Sequence, residues 1–268
     1  MAVTIAVLSQ KGGTGKTTMV RTLRDVFSRV GLSTLAVDLD PQGNLSDYLD
    51  VDPEATPTVG DVLAGRAVAA DAIHDGILPA NLGLAEAELA MSGKMGRELT
   101  LRRALREVRD DFDVVLIDCP PALGLLTVNA LVAADRALLS AEAQYFAMQG
   151  VEQALEVIEL ARENLNPDLA WLGVVLNIAD MRTRHSREAY DSLREHFGEQ
   201  LIEHTIRQSI AYAESAERAQ SILDYRPDLG ADYLRVAGEL LERLELADAR
   251  ARLQPLLDAS SDDRRASA

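Results

Sequence analysis

Cysteine is all but missing from this chain: Cys119 is the sole one in 268 residues. A single thiol makes no intrachain disulfide and cannot build a cysteine-ligated metal cluster within one chain. Cys119 lies in an apolar run, which reads as a buried, unreactive thiol. No apolar stretch approaches the roughly 20 residues that a membrane-spanning helix needs. Basic charge is also short. Lys and Arg total 27 against 43 Asp and Glu, a formal net charge of -16. That balance argues against bulk electrostatic attraction to nucleic acid, although it leaves room for a local basic patch. His74, His185, His196 and His204 show no ligand spacing, and no Ser-His-Asp arrangement competes for a catalytic role. There is no internal repeat.

What is present is an ordinary globular composition, 47% hydrophobic and 26% charged, which predicts one large α/β domain over two small ones. The opening run Met1-Ala2-Val3-Thr4-Ile5-Ala6-Val7-Leu8 is apolar, lacks a basic leader and meets a glycine loop at once. It is expected to be a buried strand rather than a signal peptide, and a cytoplasmic location is expected with it. Further apolar runs predict strands at 34–38, 114–117, 137–140 and 172–176. Between them, helical spacing covers 16–30, 99–108, 123–133, 151–164 and 186–197, with a closing helix at 230–246. Continuous apolar strands separated by helices predict a mainly parallel sheet with helices on both faces. Pro53, Pro57 and Pro79 interrupt the alternation, so 47–83 reads as an insertion of turns and short helices, with a strand near 82–85. The domain is expected over 1–250, followed by a disordered tail at 254–268.

The first strand runs into Ser9-Gln10-Lys11-Gly12-Gly13-Thr14-Gly15-Lys16-Thr17-Thr18 and then a helix. Phosphate binding needs this layout. Glycines let backbone N–H groups turn in around an anion, and the helix N-terminus adds positive potential. Lys16 supplies a mobile charge for the β- and γ-phosphates, and the Thr17 hydroxyl suits Mg²⁺. ATP with Mg²⁺ is the expected cofactor, bound by residues Lys11, Gly12, Gly13, Thr14, Gly15, Lys16, Thr17 and Thr18. Gln10 stands where the ordinary pattern has its first glycine, and Lys11 is an extra cation beside it. That cation needs an anion: its own nucleotide, or the nucleotide of a facing subunit. A second loop of this kind is absent, so the chain is not a tandem ATPase.

Two strands end in acids, Asp38-Leu39-Asp40-Pro41-Gln42-Gly43-Asn44 and Asp118-Cys119-Pro120-Pro121. In a parallel sheet their C-termini share an edge with the phosphate loop. Asp118 fits the Walker B role of holding Mg²⁺ through its water shell. Asp40 is a candidate to orient or activate the attacking water. Asp38 is a candidate either to touch metal-bound water or to shape the loop. The competing view is that acids after strands only start turns or cap helices. Lys11, Lys16, Mg²⁺ and one aimed carboxylate would suffice for phosphoryl transfer, which needs neutralisation and positioning more than covalent chemistry.

These motifs resemble those of the ParA/MinD ATPases. Residues 11–18 resemble the deviant Walker A motif, with Lys11 in the place of the signature lysine. Residues 38–44 resemble switch I, read there as D-x-D-P-Q-G-N, and 114–121 resemble the Walker B strand. Stretches 127–131, 142–150 and 182–188 follow the same family pattern, and the resemblance runs from residue 3 to about 246, closest to the ParA/Soj branch. It implies a single P-loop NTPase domain and a homodimer with ATP sandwiched between subunits, Lys11 reaching the partner's nucleotide. It also implies hydrolysis through Asp40, slow without stimulation, and a ParB-like or other activating protein. Non-specific DNA binding, nucleoid association and a role in DNA segregation or cargo positioning are implied as well. The family's adenine-contacting I-P-R-N or I-P-R-S stands here as Ile206-Arg207-Gln208-Ser209. Arg207 is expected to stack on adenine, with Ser209 nearby. Basic positions that hold DNA in relatives correspond to Ala211 and Asp224, leaving Arg182, Arg184, Arg187, Arg194 and Arg218 as candidates. The alternative is a switch that acts through protein partners with weak or no DNA binding. A membrane-cycling role needs a basic amphipathic C-terminal helix, and 239–258 is rich in acids instead.

Overall fold

The computed structural model describes residues 2–144 and 147–266. The first half runs β1 (Val3–Leu8), α1 (Lys16–Arg29), β2 (Thr34–Asp38), α2 (Asn44–Tyr48), α3 (Val59–Ala64), β3 (Ile77–Leu78), α4 (Gly83–Met91), α5 (Thr100–Leu105) and β4 (Val114–Asp118). The second half runs α6 (Leu125–Ala133), β5 (Arg136–Glu142), α7 (Ala147–Asn164), β6 (Ala170–Asn177), α8 (Arg184–Phe197), α9 (Ala211–Glu217), α10 (Ile222–Tyr225), α11 (Pro227–Arg243) and α12 (Ala247–Ala266). Six strands pair in the order β3-β2-β4-β1-β5-β6, every pairing parallel.

The strands read as apolar runs because both faces of the sheet are covered. In β1, Ile5 and Val7 point into a core shared with Leu23, Val26 and Phe27 of α1 and Leu240 of α11. Ala6 and Leu8 point the other way, toward Leu126 and Ala130 of α6 and Val151 of α7. Each such side chain contributes about 1.5–3 kcal/mol of transfer free energy. The predicted α/β class with helices on both faces is what the chain forms.

Two expectations are corrected. The insertion's strand is Ile77–Leu78, paired with Ala36 and Val37, and the 82–85 stretch opens helix α4. Leu84, Ala87 and Met91 form its buried face at helical spacing. The tail expected from 254 is helical to Ala266, because Ala249 and Leu253 of α12 are buried in the core that α11 shares. Within the 142–150 stretch, residues 145 and 146 lie outside the described residues, as do 267 and 268 of the tail.

Candidate functional site

Because all strands run one way, β1, β2, β4 and β6 deliver their C-terminal residues to one edge of the sheet. The phosphate loop, Asp40 and Asn177 line a cleft of ≈ 890 Å³ there, within the range of a small-molecule site, with Asp118 buried behind Thr17. The loop turns into α1 through Gly15, at φ +78°. A side chain there would place its Cβ 2.4 Å from Asn177 Nδ2, so the site admits only glycine. Ser140 Oγ donates to Thr14 O at 2.8 Å, and Ser9 Oγ donates to Lys11 O at 2.8 Å. These bonds consume loop carbonyls and leave the loop's N–H groups to face a ligand.

The two predicted lysines are placed differently. Lys16 is buried and lines the cleft with Gly12, Gly13, Thr14, Gly15, Thr17 and Thr18. Lys11 is exposed and is not part of that lining; it borders a separate small cavity with Glu142 and Gln144. Lysine occurs only three times in the sequence, as Lys11, Lys16 and Lys94. Two of the three thus fall in this loop, where a compact, mobile ammonium suits a phosphate.

Thr17 Oγ1 donates to Asp118 Oδ2 at 2.7 Å. Asp118 is 1% exposed, and its other oxygen is buried without a hydrogen-bond partner. Burial, then the neighbouring Asp38 carboxylate, raises the Asp118 pKa to about 7. Asp38 pairs in register with Asp118 across β2 and β4, and burial raises its pKa to about 6. Two adjoining buried carboxylates, one with an unpartnered oxygen, fit a dication. Among the described residues there is no cluster of three metal-type side chains. Such an ion would rest on Thr17, Asp118, phosphate oxygens and water, the habit of Mg²⁺.

For Asp38 the two expected roles are touching metal-bound water and shaping the loop. Its Oδ2 accepts from Ser46 N at 2.9 Å and Ser46 Oγ at 2.8 Å, and its Oδ1 accepts from Asp40 N at 3.1 Å. Both oxygens are thus engaged in shaping the loop, the other role open to it. Asp40 lines the cleft, with Oδ1 accepting from Gln42 N at 3.0 Å. Arg207 and Ser209 also line the cleft. The Arg207 guanidinium is held by Asp232, Nε donating at 2.6 Å, and by the Asp228 carbonyl. These bonds hold the side chain in place at the cleft wall. Ser209 Oγ accepts from Ala211 N, the first residue of α9, at 3.2 Å.

The motifs missed Asn177, Tyr48 and Tyr212. Asn177 is buried at the end of β6, within 3.4 Å of Gly15 O and of Ser140 Oγ. A polar residue closing an apolar strand is the signal that marked Asp38 and Asp118, and it was there to be used for Asn177. Of the expected DNA-facing arginines, Arg182 is bidentate to Asp180 and Arg184 pairs with Glu188. Arg187 bonds the Met181 and Arg182 carbonyls, Arg194 bonds Tyr190, and Arg218 stacks on Tyr225.

A family model described as an AAA domain matches residues 2–171. The sporulation initiation inhibitor protein Soj of Bacillus subtilis is 34% identical over 245 residues, 88% of this chain and 97% of that protein. The chromosome partitioning protein ParA of Caulobacter vibrioides is 34% identical over 258 residues, 92% and 97% of the two chains. Among solved structures, cobyrinic acid a,c-diamide synthase from Mycobacterium smegmatis, bound to ADP and magnesium, is 37% identical with TM-score 0.74. The match covers 84% of this chain and 95% of that one.

Proposed function

The chain belongs to the ParA/MinD family of deviant Walker A ATPases, and from that membership we propose a nucleotide-gated switch that hydrolyses ATP slowly and works as a closed homodimer in DNA segregation or cargo positioning. The observation that carries the dimer is the split of the lysines: Lys16 lines its own cleft, whereas Lys11 is exposed outside that lining. A cation so placed suits a nucleotide held by the facing copy. The partitioning role rests on the names of the Soj and ParA relatives.

Within each cleft, the loop N–H groups and Lys16 bind the phosphates. Thr17 and Asp118 would hold Mg²⁺, which would supply charge neutralisation to the phosphates. Asp40 accepts a hydrogen bond from the attacking water, aligns it and draws off its proton. Lys11 of the facing copy stabilises charge on the departing phosphate. Arg207 presents its guanidinium plane to adenine, with Ser209 beside it. The reaction is ATP and water to ADP and phosphate. The other parties to the proposal are a ParB-like or other activating protein and, on a nucleoid, non-specific DNA. No helix among the described residues is long and apolar enough to cross a membrane. The cleft's lining is taken up by loop, switch and base-side residues, which favours a switch over the amide formation in the mycobacterial protein's name.

Light scattering with ATP-Mg²⁺ tests the dimer. Asp40→Ala should accumulate dimer, and Lys11→Ala should bind ATP yet stay monomeric. A monomer in the Asp40→Ala variant at saturating ATP refutes the closed dimer.

The net charge of -16 and the paired arginines favour a second reading, in which the dimer acts through protein partners with DNA binding weak or lost.

A further inference from the structure

Helix α9 has two faces with different duties. Tyr212, Ala213, Ala216 and Glu217 line the cleft on the side away from the phosphate loop. Ser215, turned inward, is fully buried. Its Oγ donates to Tyr212 O at 3.0 Å. A serine has one O–H to give, so the hydrogen bond between Ser215 and Tyr48 is donated by the Tyr48 hydroxyl.

Tyr48 is the last residue of α2, the short helix that directly follows the Asp40 loop. The body of α2 is clamped by Asp38 through Ser46. At its far end the Tyr48 ring lies under Arg21 of α1, whose guanidinium carbon is 5.4 Å from the ring centroid. Arg21 Nε also donates to Tyr48 O at 3.3 Å. One side chain, 2% exposed, therefore touches the helix behind the phosphate loop, the helix behind the switch and the helix behind the base-side wall. A displacement of α9 must carry α2 with it or leave the buried Tyr48 hydroxyl without its acceptor, which costs free energy.

We propose that Tyr48 is a positioning residue that couples the base-side wall to the switch, so that the nucleotide's base, and not its phosphates alone, sets the Asp40 loop. The coupling rests on the reading of the cleft as an ATP site. An ordinary core hydrogen bond would stabilise the fold without making the switch sensitive to the base. Coupling requires that sensitivity.

Hydrogen exchange on the full chain separates the two, comparing Mg²⁺ with a non-hydrolysable ATP analogue and Mg²⁺ with inorganic tripolyphosphate, both saturating. In the wild type the analogue should slow exchange at 39–48 about fivefold more than tripolyphosphate does. Tyr48→Phe keeps the ring against Arg21 and removes the hydroxyl; it should bring the two ligands within about twofold of each other. Ser215→Ala should do the same, and the double variant should go no further than either single change. Turnover at saturating ATP should fall about tenfold in Tyr48→Phe with KM changed less than about twofold. A base-dependent difference that survives Tyr48→Phe, or that is absent from the wild type, overturns the coupling. Protection of 9–18 by both ligands is the separate check on the site. Its loss rejects the ATP reading and the coupling together, whereas its presence without a base-dependent difference at 39–48 rejects the coupling alone.

Discussion

Asp118 holds an oxygen that nothing in the protein satisfies, one strand away from a second buried carboxylate. With its pKa raised to about 7 from an ordinary 3.8, the native state binds a proton that the unfolded chain has already released between those values. This contribution to stability is therefore favourable at low pH and is lost as pH rises toward 7. Asp118→Asn should be more stable than wild type in the nucleotide-free state, by a margin that grows by about 1–3 kcal/mol between pH 5 and pH 8. The same variant should lose Mg²⁺-dependent ATP binding. Urea titration at the two pH values, taken as variant minus wild type, checks the sign; a variant less stable than wild type at pH 8 contradicts it. Most of the site's residues were legible because each marks a chemical need at a strand end or in the loop. Asp38 was legible as a site residue, but its duty was not, since that depends on where Ser46 lies. Lys11 and Lys16 stood out by motif; their opposite placement needed three dimensions. Tyr48 carried no signal at all, because its partner Ser215 is 167 positions away.

Elements with strong period were readable and short ones were not. The five long strands and the six helices that were placed, half of the twelve described, fall within a few residues of their expected places, since a doubly covered sheet makes strands continuous in apolar residues. The two-residue β3 is too short to carry periodicity and exists because Ala36 and Val37 offer a ladder. Helix α12 was hidden by a polar exterior. Its composition resembles a solvated tail, yet Ala249 and Leu253 are buried in the core of α11 and Leu256 and Leu257 pack against it. Leu253→Ala should consequently cost about 2–4 kcal/mol of stability, as for a fully buried leucine. A free tail would lose nothing measurable. Equilibrium urea denaturation distinguishes the two, and an unchanged midpoint would reject a docked α12.

At the scale of the whole molecule, charge decides what the dimer can hold. A surface that tracks DNA needs guanidinium or ammonium groups free to meet phosphates. The arginines expected to do so, Arg182, Arg184, Arg187, Arg194 and Arg218, are spent on an acid, a carbonyl, a hydroxyl or a ring. Arg29 is likewise tied to Asp224. By contrast, Arg102 of α5 and Arg106, the residue that caps the helix one turn on, form no ion pair among the described residues, with Arg103 beside them. A short cationic stripe on a chain of -16 net charge can neutralise only a few phosphates against a repulsive background. Each phosphate neutralised contributes about 0.9 to the slope of log affinity against log salt. Mobility-shift titrations with ATP-Mg²⁺ should therefore find non-specific affinity at the weak end, near about 10⁻⁴ M at physiological salt, with a slope of about 3 or less. Arg102→Glu with Arg106→Glu should abolish what binding there is and leave ATP turnover unchanged. Tight, ATP-dependent binding with a slope of about 6 or more would show that dimer closure frees or assembles cations that the single chain keeps paired. In that event the DNA-carrying reading prevails over the protein-partner one.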